Sequence, residues 1–185
     1  MSQYTHVPNI LTGYRFVAAP LLLFCLYPGA ETWVSLLGFG LYLSAALTDL
    51  ADGYIARKYK VESVLGKLMD PLADKVLVAS VLVMLIPLGR MPAWVAFIIL
   101  SRELVVTGLR GVAASSGLVI SASWLGKWKS VVQLIALGTL MFPEGVLPIP
   151  YLYQIGLVIL YIALFLTIWS GIDYFYRFQK VYLNP

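Results

Sequence analysis

The 185-residue chain is 61% hydrophobic and only 12% charged, with a mean hydropathy of +0.87; these proportions exclude an ordinary water-soluble globule and point to an integral membrane protein. Its net charge of +4 comes without a basic stripe interleaved with aromatics, which favours anionic lipid or an anionic substrate over nucleic acid. The single cysteine, Cys25, excludes a disulfide framework and a thiolate metal cluster.

A hydrocarbon core takes about 20 apolar residues per helix, and six stretches qualify in chain order: 11–27, 32–51, 72–88, 92–109, 130–142 extended back toward Trp124, and 151–169. The expected fold class is therefore all-α, with six transmembrane helices in one domain over residues 1–185, since no internal repeat or low-complexity tract divides the chain. No charged leader with a small-residue cleavage site precedes the first run, so that run is expected to stay in the membrane. Breaks are expected at Pro28-Gly29, Leu88-Gly89 and Pro143-Glu144-Gly145. Arg90 is the only basic residue in those breaks; the other twelve of the thirteen Lys and Arg fall at the N-terminus, in 57–75, in 102–129 and in the C-terminal tail. The positive-inside rule then puts both termini in the cytoplasm. Tyr27, Trp33, Trp94, Trp124, Trp128, Tyr151 and Trp169 suit interfacial anchoring, and Arg177 and Lys180 read as ordinary anchors.

Four aspartates interrupt this apolar background. If the second helix continues through Arg57, Asp49 and Asp52 share a face with the small residues Gly53 and Ala56. In the third, Gly66, Asp70 and Asp74 stack at intervals of four. The orientation places both faces at the cytoplasmic ends of their helices, lining a cavity open to the cytoplasm. One aspartate there is readily explained as a surface charge paired with Arg57, Lys58, Lys67 or Lys75. Four converging carboxylates repel each other and need cations between them. Oxygen-only donors select a hard cation, Mg²⁺ or Mn²⁺, and four carboxylates suffice for two ions in phosphoryl chemistry. Gly53, Ala56 and Gly66 leave room for a flat ligand against the backbone, or simply serve helix packing. A divalent-cation transporter is the competing class, but it calls for acids spread through the membrane depth, whereas these sit at one end.

The pattern Asp49-x2-Asp52-Gly53-x2-Ala56-Arg57-x8-Gly66-x3-Asp70-x3-Asp74 resembles the signature of the CDP-alcohol phosphotransferases at all eight positions. The resemblance implies that family's six-helix membrane fold and the displacement of CMP from a CDP-activated lipid or alcohol by an acceptor hydroxyl. It implies Asp49, Asp52 and Asp70 as metal ligands. Asp74 becomes the general base that also touches metal, and Gly53, Ala56, Arg57 and Gly66 become the CDP site. The segments 7–15, 101–110 and 122–129 are similar to the bacterial branch that joins CDP-diacylglycerol to glycerol 3-phosphate, giving phosphatidylglycerophosphate and implying the bacterial cell membrane. A sister activity toward inositol phosphate or serine is the alternative. Asn9, beside Pro8, reads as a helix start, or with Thr12 as a reach toward the nucleotide. Arg102, Arg110, Lys127 and Lys129 are the candidate glycerol 3-phosphate contacts, with Glu103 expected to pair one of them internally; anchoring to anionic lipid heads is the plainer explanation for any single one. His6, the only histidine, excludes two-histidine phosphoenzyme chemistry. A homodimer is left open by the sequence.

Overall fold

The computed structural model describes residues 7–59, 64–117 and 123–183, with side chains over 10–48, 69, 71–117 and 123–180. Among the described residues there are six α-helices and no strand: α1 Val7–Cys25, α2 Thr32–Tyr59, α3 Val64–Leu85, α4 Ala93–Ser115, α5 Trp124–Met141 and α6 Leu152–Leu183. The breaks fall where Pro and Gly announced them. Gly29, Gly89 and Gly145 adopt φ of +86°, +69° and +82°, a region that an L side chain enters only with strain, so each reversal is built on the residue that lacks one.

The boundaries differ from the apolar runs in one systematic way. α2 was expected to end near 51 and continues to Tyr59; α3 was expected from 72 and starts at Val64; α6 was expected to end at 169 and reaches Leu183. Charge ends an apolar run, but it does not end a helix, because Lys, Arg and Gln are good helix formers. These three helices are thus longer than the stretches that suit hydrocarbon. By length and composition the segment Leu152–Lys180 alone qualifies as a candidate span among the described residues, with Ile10–Cys25 and Thr32–Thr48 as shorter apolar stretches.

The chain divides into two compact units, Met1–Arg90 with Met141–Ile149, and Met91–Leu140 with Pro150–Pro185. In the first, α1 packs on both α2 and α3. Ala18, Ala19, Leu22 and Leu26 of α1 are buried, as are Tyr42, Ala45 and Ala46 of α2 and Ala73, Leu77 and Val81 of α3. The alanines let the backbones approach closely, the usual means of helix packing where lipid supplies no hydrophobic drive. Near the α1–α2 turn a Cβ on Gly38 would lie 2.8 Å from the Cβ of Cys25, so only glycine fits that crossing. Arg90 Nη1 donates to the carbonyl of Met141, the last residue of α5, at 3.1 Å. Arg90 is therefore a helix C-cap, which explains the lone cation in the otherwise base-free breaks.

The second unit is built from α4, α5 and α6, with α4 packed on α6. Trp94 stacks near Tyr161 (6.1 Å) and Arg102 bonds Ser170, so α4 and α6 run parallel. Val95, Ile99, Val106 and Ala113 of α4, Ala136, Leu137 and Leu140 of α5, and Leu160, Ala163 and Leu164 of α6 form its core. Both units leave large apolar side chains uncovered, among them Phe24 at 74% and Phe97 at 71% exposure, with Leu104, Val158 and Phe165 in the same state. A soluble protein does not present so much bare apolar surface; a protein solvated by lipid does. This is a membrane protein.

Candidate active site

α2 carries Asp49, Asp52, Gly53, Ala56 and Arg57 within its helical span, since it runs unbroken to Tyr59. The condition for a shared face is met on the backbone. α3 carries Gly66, Asp70 and Asp74 from Val64 onward. The side chains of Asp49, Asp52, Gly53, Ala56, Arg57, Gly66, Asp70 and Asn9 lie outside the described residues; Asp74 and Thr12 lie within them.

What holds these segments together is visible one turn away. Ser44 donates its hydroxyl proton to the Leu41 carbonyl (2.9 Å), so the 2.6 Å contact between Tyr14 and Ser44 is a phenol donating to Ser44 Oγ. That bond ties α1 to α2 just before Asp49. Thr48 Oγ1 returns to the Ala45 carbonyl at 2.6 Å, satisfying a hydroxyl in an apolar setting without a distant partner. Ala73 and Leu77 seat α3 in the core, while the Asp74 side chain beside them stays 40% exposed, within 3.4 Å of Lys75 Nζ. A carboxylate anchored on a buried stripe and open on one side is suited to meet a substrate hydroxyl. The buried Tyr42 of α2 lies within electrostatic reach of Asp74.

α1 contributes two buried polar side chains, Thr12 and Arg15, the latter 1% exposed. Thr12 is a candidate for the nucleotide; Arg15 closes the 7–15 segment and has no role assigned from the sequence. The signal for Arg15 was present, since a charge inside a membrane helix is costly and persists where it works. Here it belongs to the helix that packs on both aspartate-bearing helices.

The four candidate acceptor cations all belong to the second unit, and the structure divides them. Lys129 and Glu103 form a buried ion pair, each under 5% exposed. Arg102 joins the same Glu103 oxygen at 3.2 Å through Nη1 and donates to Ser170 Oγ at 2.9 Å through Nη2. The expected internal pairing by Glu103 thus engages two cations. Arg110 is exposed, its guanidinium 5.8 Å over the Tyr174 ring. Lys127 is exposed as well, and two residues along a helix amount to about 200°, so it faces away from Lys129. It sits with the exposed Trp124 and Trp128, whose rings meet edge to face at 5.5 Å. The structure therefore does not bring Lys127 and Lys129 onto one face. Ser123, which accepts from the Gly126 amide at 3.2 Å, is the N-cap that starts α5 there. Arg177, expected to be an anchor, makes an exposed pair with Asp173 at 3.1 Å.

The donor set suits a hard divalent ion: four carboxylates on two helices, with no thiolate or imidazole competing in either one. Among the described residues, which do not include the side chains of Asp49, Asp52 and Asp70, no group of three His, Cys, Asp or Glu comes together.

The family model described as CDP-alcohol phosphatidyltransferase matches residues 5–169. A Rickettsia bellii protein named CDP-diacylglycerol--glycerol-3-phosphate 3-phosphatidyltransferase is 38% identical over 177 residues, covering 96% of this chain and 97% of its own. A Mycobacterium tuberculosis probable phosphatidylglycerophosphate synthase is 38% identical over 178 residues, 95% of this chain and 83% of its own. A Bacillus subtilis protein with the same name as the Rickettsia one is 42% identical over 143 residues, 76% of this chain and 72% of its own. With its aspartates in helical register and the match running through α1 to the middle of α6, the chain belongs to the CDP-alcohol phosphatidyltransferase family.

Proposed function

We propose that the chain transfers the phosphatidyl group of CDP-diacylglycerol to glycerol 3-phosphate, releasing CMP and forming phosphatidylglycerophosphate. The likeness to transferases of that name along nearly the entire chain carries the reading. All six helices cross the membrane in this reading, both termini are cytoplasmic, and the aspartates open to the cytoplasm, where the water-soluble glycerol 3-phosphate is found and CMP is released.

Asp49, Asp52, Asp70 and Asp74 hold two divalent ions, Mg²⁺ or Mn²⁺, which when bound neutralise the pyrophosphate and the departing CMP. Gly53, Ala56 and Gly66 give the cytidine a surface without side-chain bulk, Arg57 meets its phosphate, and Asn9 and Thr12 flank it. Asp74 accepts the proton of the acceptor hydroxyl. The freed oxygen bonds to the phosphatidyl phosphorus, the bond from that phosphorus to the oxygen of CMP breaks, and CMP leaves with the electron pair. Arg110 takes the acceptor's own phosphate, with Arg102 and Lys129 as buried charge behind it. Lys127 adds a weaker pull from the opposite face of α5. Binding energy gained at the remote phosphate aligns the reacting hydroxyl.

Lipid product measured side by side from glycerol 3-phosphate, inositol phosphate and serine tests the assignment. Glycerol 3-phosphate is the expected preference. Arg110→Ala is expected to raise its KM about tenfold, the worth of one charge-assisted contact, with the KM for CDP-diacylglycerol unchanged and a smaller effect from Lys127→Ala. Preference for another acceptor, or wild-type kinetics in both variants, contradicts the proposal.

A further inference from the structure

Tyr174 of α6 is 5% exposed, and its phenol oxygen is buried without a hydrogen-bond partner among the described residues. The nearest acid along the chain, Asp173, pairs with Arg177 and does not bond the phenol. Such a hydroxyl is costly where lipid surrounds the protein, because it has lost the hydration it had in water and gained nothing in exchange. A ring that served packing alone is better made of phenylalanine, which has the same apolar body and no unsatisfied group. The hydroxyl therefore calls for a partner that comes from outside the chain.

Its surroundings on α4 say of what kind. The Arg110 guanidinium lies over the Tyr174 ring, 5.8 Å from the centroid, and is itself exposed. One turn earlier on α6, Ser170 Oγ accepts from Arg102 at 2.9 Å. Gly171 lies so close to the same side chain that a Cβ there would come within 3.1 Å of Arg102 Cγ. α4 thus presses two arginines against successive turns of α6, and the phenol is held in that seam. A guanidinium carries hydrogen-bond donors and no acceptor, and a phenol beside it supplies one donor more. A ligand that bonds both at once must bring acceptor oxygens, and a phosphate monoester brings several on one small group.

We propose that Tyr174 is a further contact of the acceptor: its phenol donates to an oxygen of the phosphate that Arg110 holds. This rests on the reading that the acceptor is phosphorylated and meets Arg110. Because the guanidinium is what lies over the ring, an anion that draws it outward also gains the hydroxyl beneath. The phenol brings no charge of its own, and what it contributes is selectivity: an acceptor without a phosphate gives it no charged oxygen to bond.

The test is a kinetic cycle on the full chain in lipid, using Tyr174→Phe, Arg110→Ala and the double variant, with the KM of each substrate and thermal stability recorded. Tyr174→Phe removes one oxygen and keeps the ring. It is expected to raise the KM for glycerol 3-phosphate about tenfold, as for one lost hydrogen bond to a charged group, and to leave the KM for CDP-diacylglycerol unchanged. Thermal stability should stay at the wild-type value or rise, since the oxygen bonds nothing within the chain; a structural hydroxyl gives the reverse, lost stability with an unchanged KM. Without Arg110 the phosphate is no longer held beside the ring, so Tyr174→Phe should raise the KM by less in the Arg110→Ala background than in wild type. An unchanged acceptor KM, equal rises for both substrates, a Tyr174→Phe chain that loses stability or does not fold, or effects that multiply in the double variant would overturn the inference. Where wild type uses glycerol 3-phosphate, each of those results strikes Tyr174 alone and leaves the proposed reaction standing. If wild type prefers inositol phosphate, the assigned acceptor fails, while Tyr174 is judged by the same cycle with that acceptor. If wild type prefers unphosphorylated serine, both fail.

Discussion

Asp74→Asn is expected to abolish turnover, by at least about a thousandfold, while CDP-diacylglycerol still binds. The expected loss combines that of a general base, about 10²–10⁴ in rate, with disturbance of a carboxylate proposed also to touch metal. Asn is nearly isosteric and cannot take a proton, so folding is preserved: the helical stripe that seats this position is Ala73, Leu77 and Val81, not Asp74 itself. Asp74 is 40% exposed and pairs with its sequence neighbour Lys75, a contact too exposed to contribute much stability. Direct attack passes through no covalent enzyme intermediate. Rapid-quench measurement of CMP release, together with equilibrium binding of CDP-diacylglycerol, checks both halves. A variant that keeps more than a tenth of wild-type turnover, or a phosphatidylated protein trapped on the wild type, contradicts this role for Asp74.

Removing divalent metal is expected to have an effect of the same size. Chelator should take activity to background, and Mg²⁺ or Mn²⁺ should restore it; Asp70→Asn and Asp49→Asn should lose metal-dependent binding of CDP, measured directly without turnover. The physical reason is repulsion: in the proposed site the four carboxylates converge, and converging carboxylates stay together only with cations between them. Metal-dependent CDP binding that survives in both variants, or full activity in excess chelator, rules out the aspartates as the metal site.

The helical placement of the four aspartates was legible because their spacings are arithmetic. Intervals of three and four place Asp49 with Asp52, and Asp70 with Asp74, as soon as the helix is granted, and α2 continuing to Tyr59 grants it. The turns at Gly29, Gly89 and Gly145 were legible because Pro and Gly act locally. Helix ends were not, because the apolar run measures where hydrocarbon stops and the backbone hydrogen bonds continue past it in α2, α3 and α6. The cationic region was half legible. Glu103 beside Arg102 announced a pair, but that Lys129 joins it depends on how α4 and α5 pack, which no local spacing reports. That Lys127 and Lys129 diverge follows from their separation of two residues once α5 is known to begin at Trp124. Arg90 shows the opposite limit: as a charge it blurred the topological pattern, and its bond to the Met141 carbonyl, 51 residues away, belongs to the tertiary structure alone.

The central claim is the identity of the reaction, and incorporation of radiolabelled glycerol 3-phosphate into lipid by the purified chain tests it most directly. With CDP-diacylglycerol and Mg²⁺ present, label is expected to appear in phosphatidylglycerophosphate with one CMP released per lipid formed, and omission of CDP-diacylglycerol should reduce incorporation to background. Label entering lipid without CDP-diacylglycerol, or none entering with all three components present, would contradict the account.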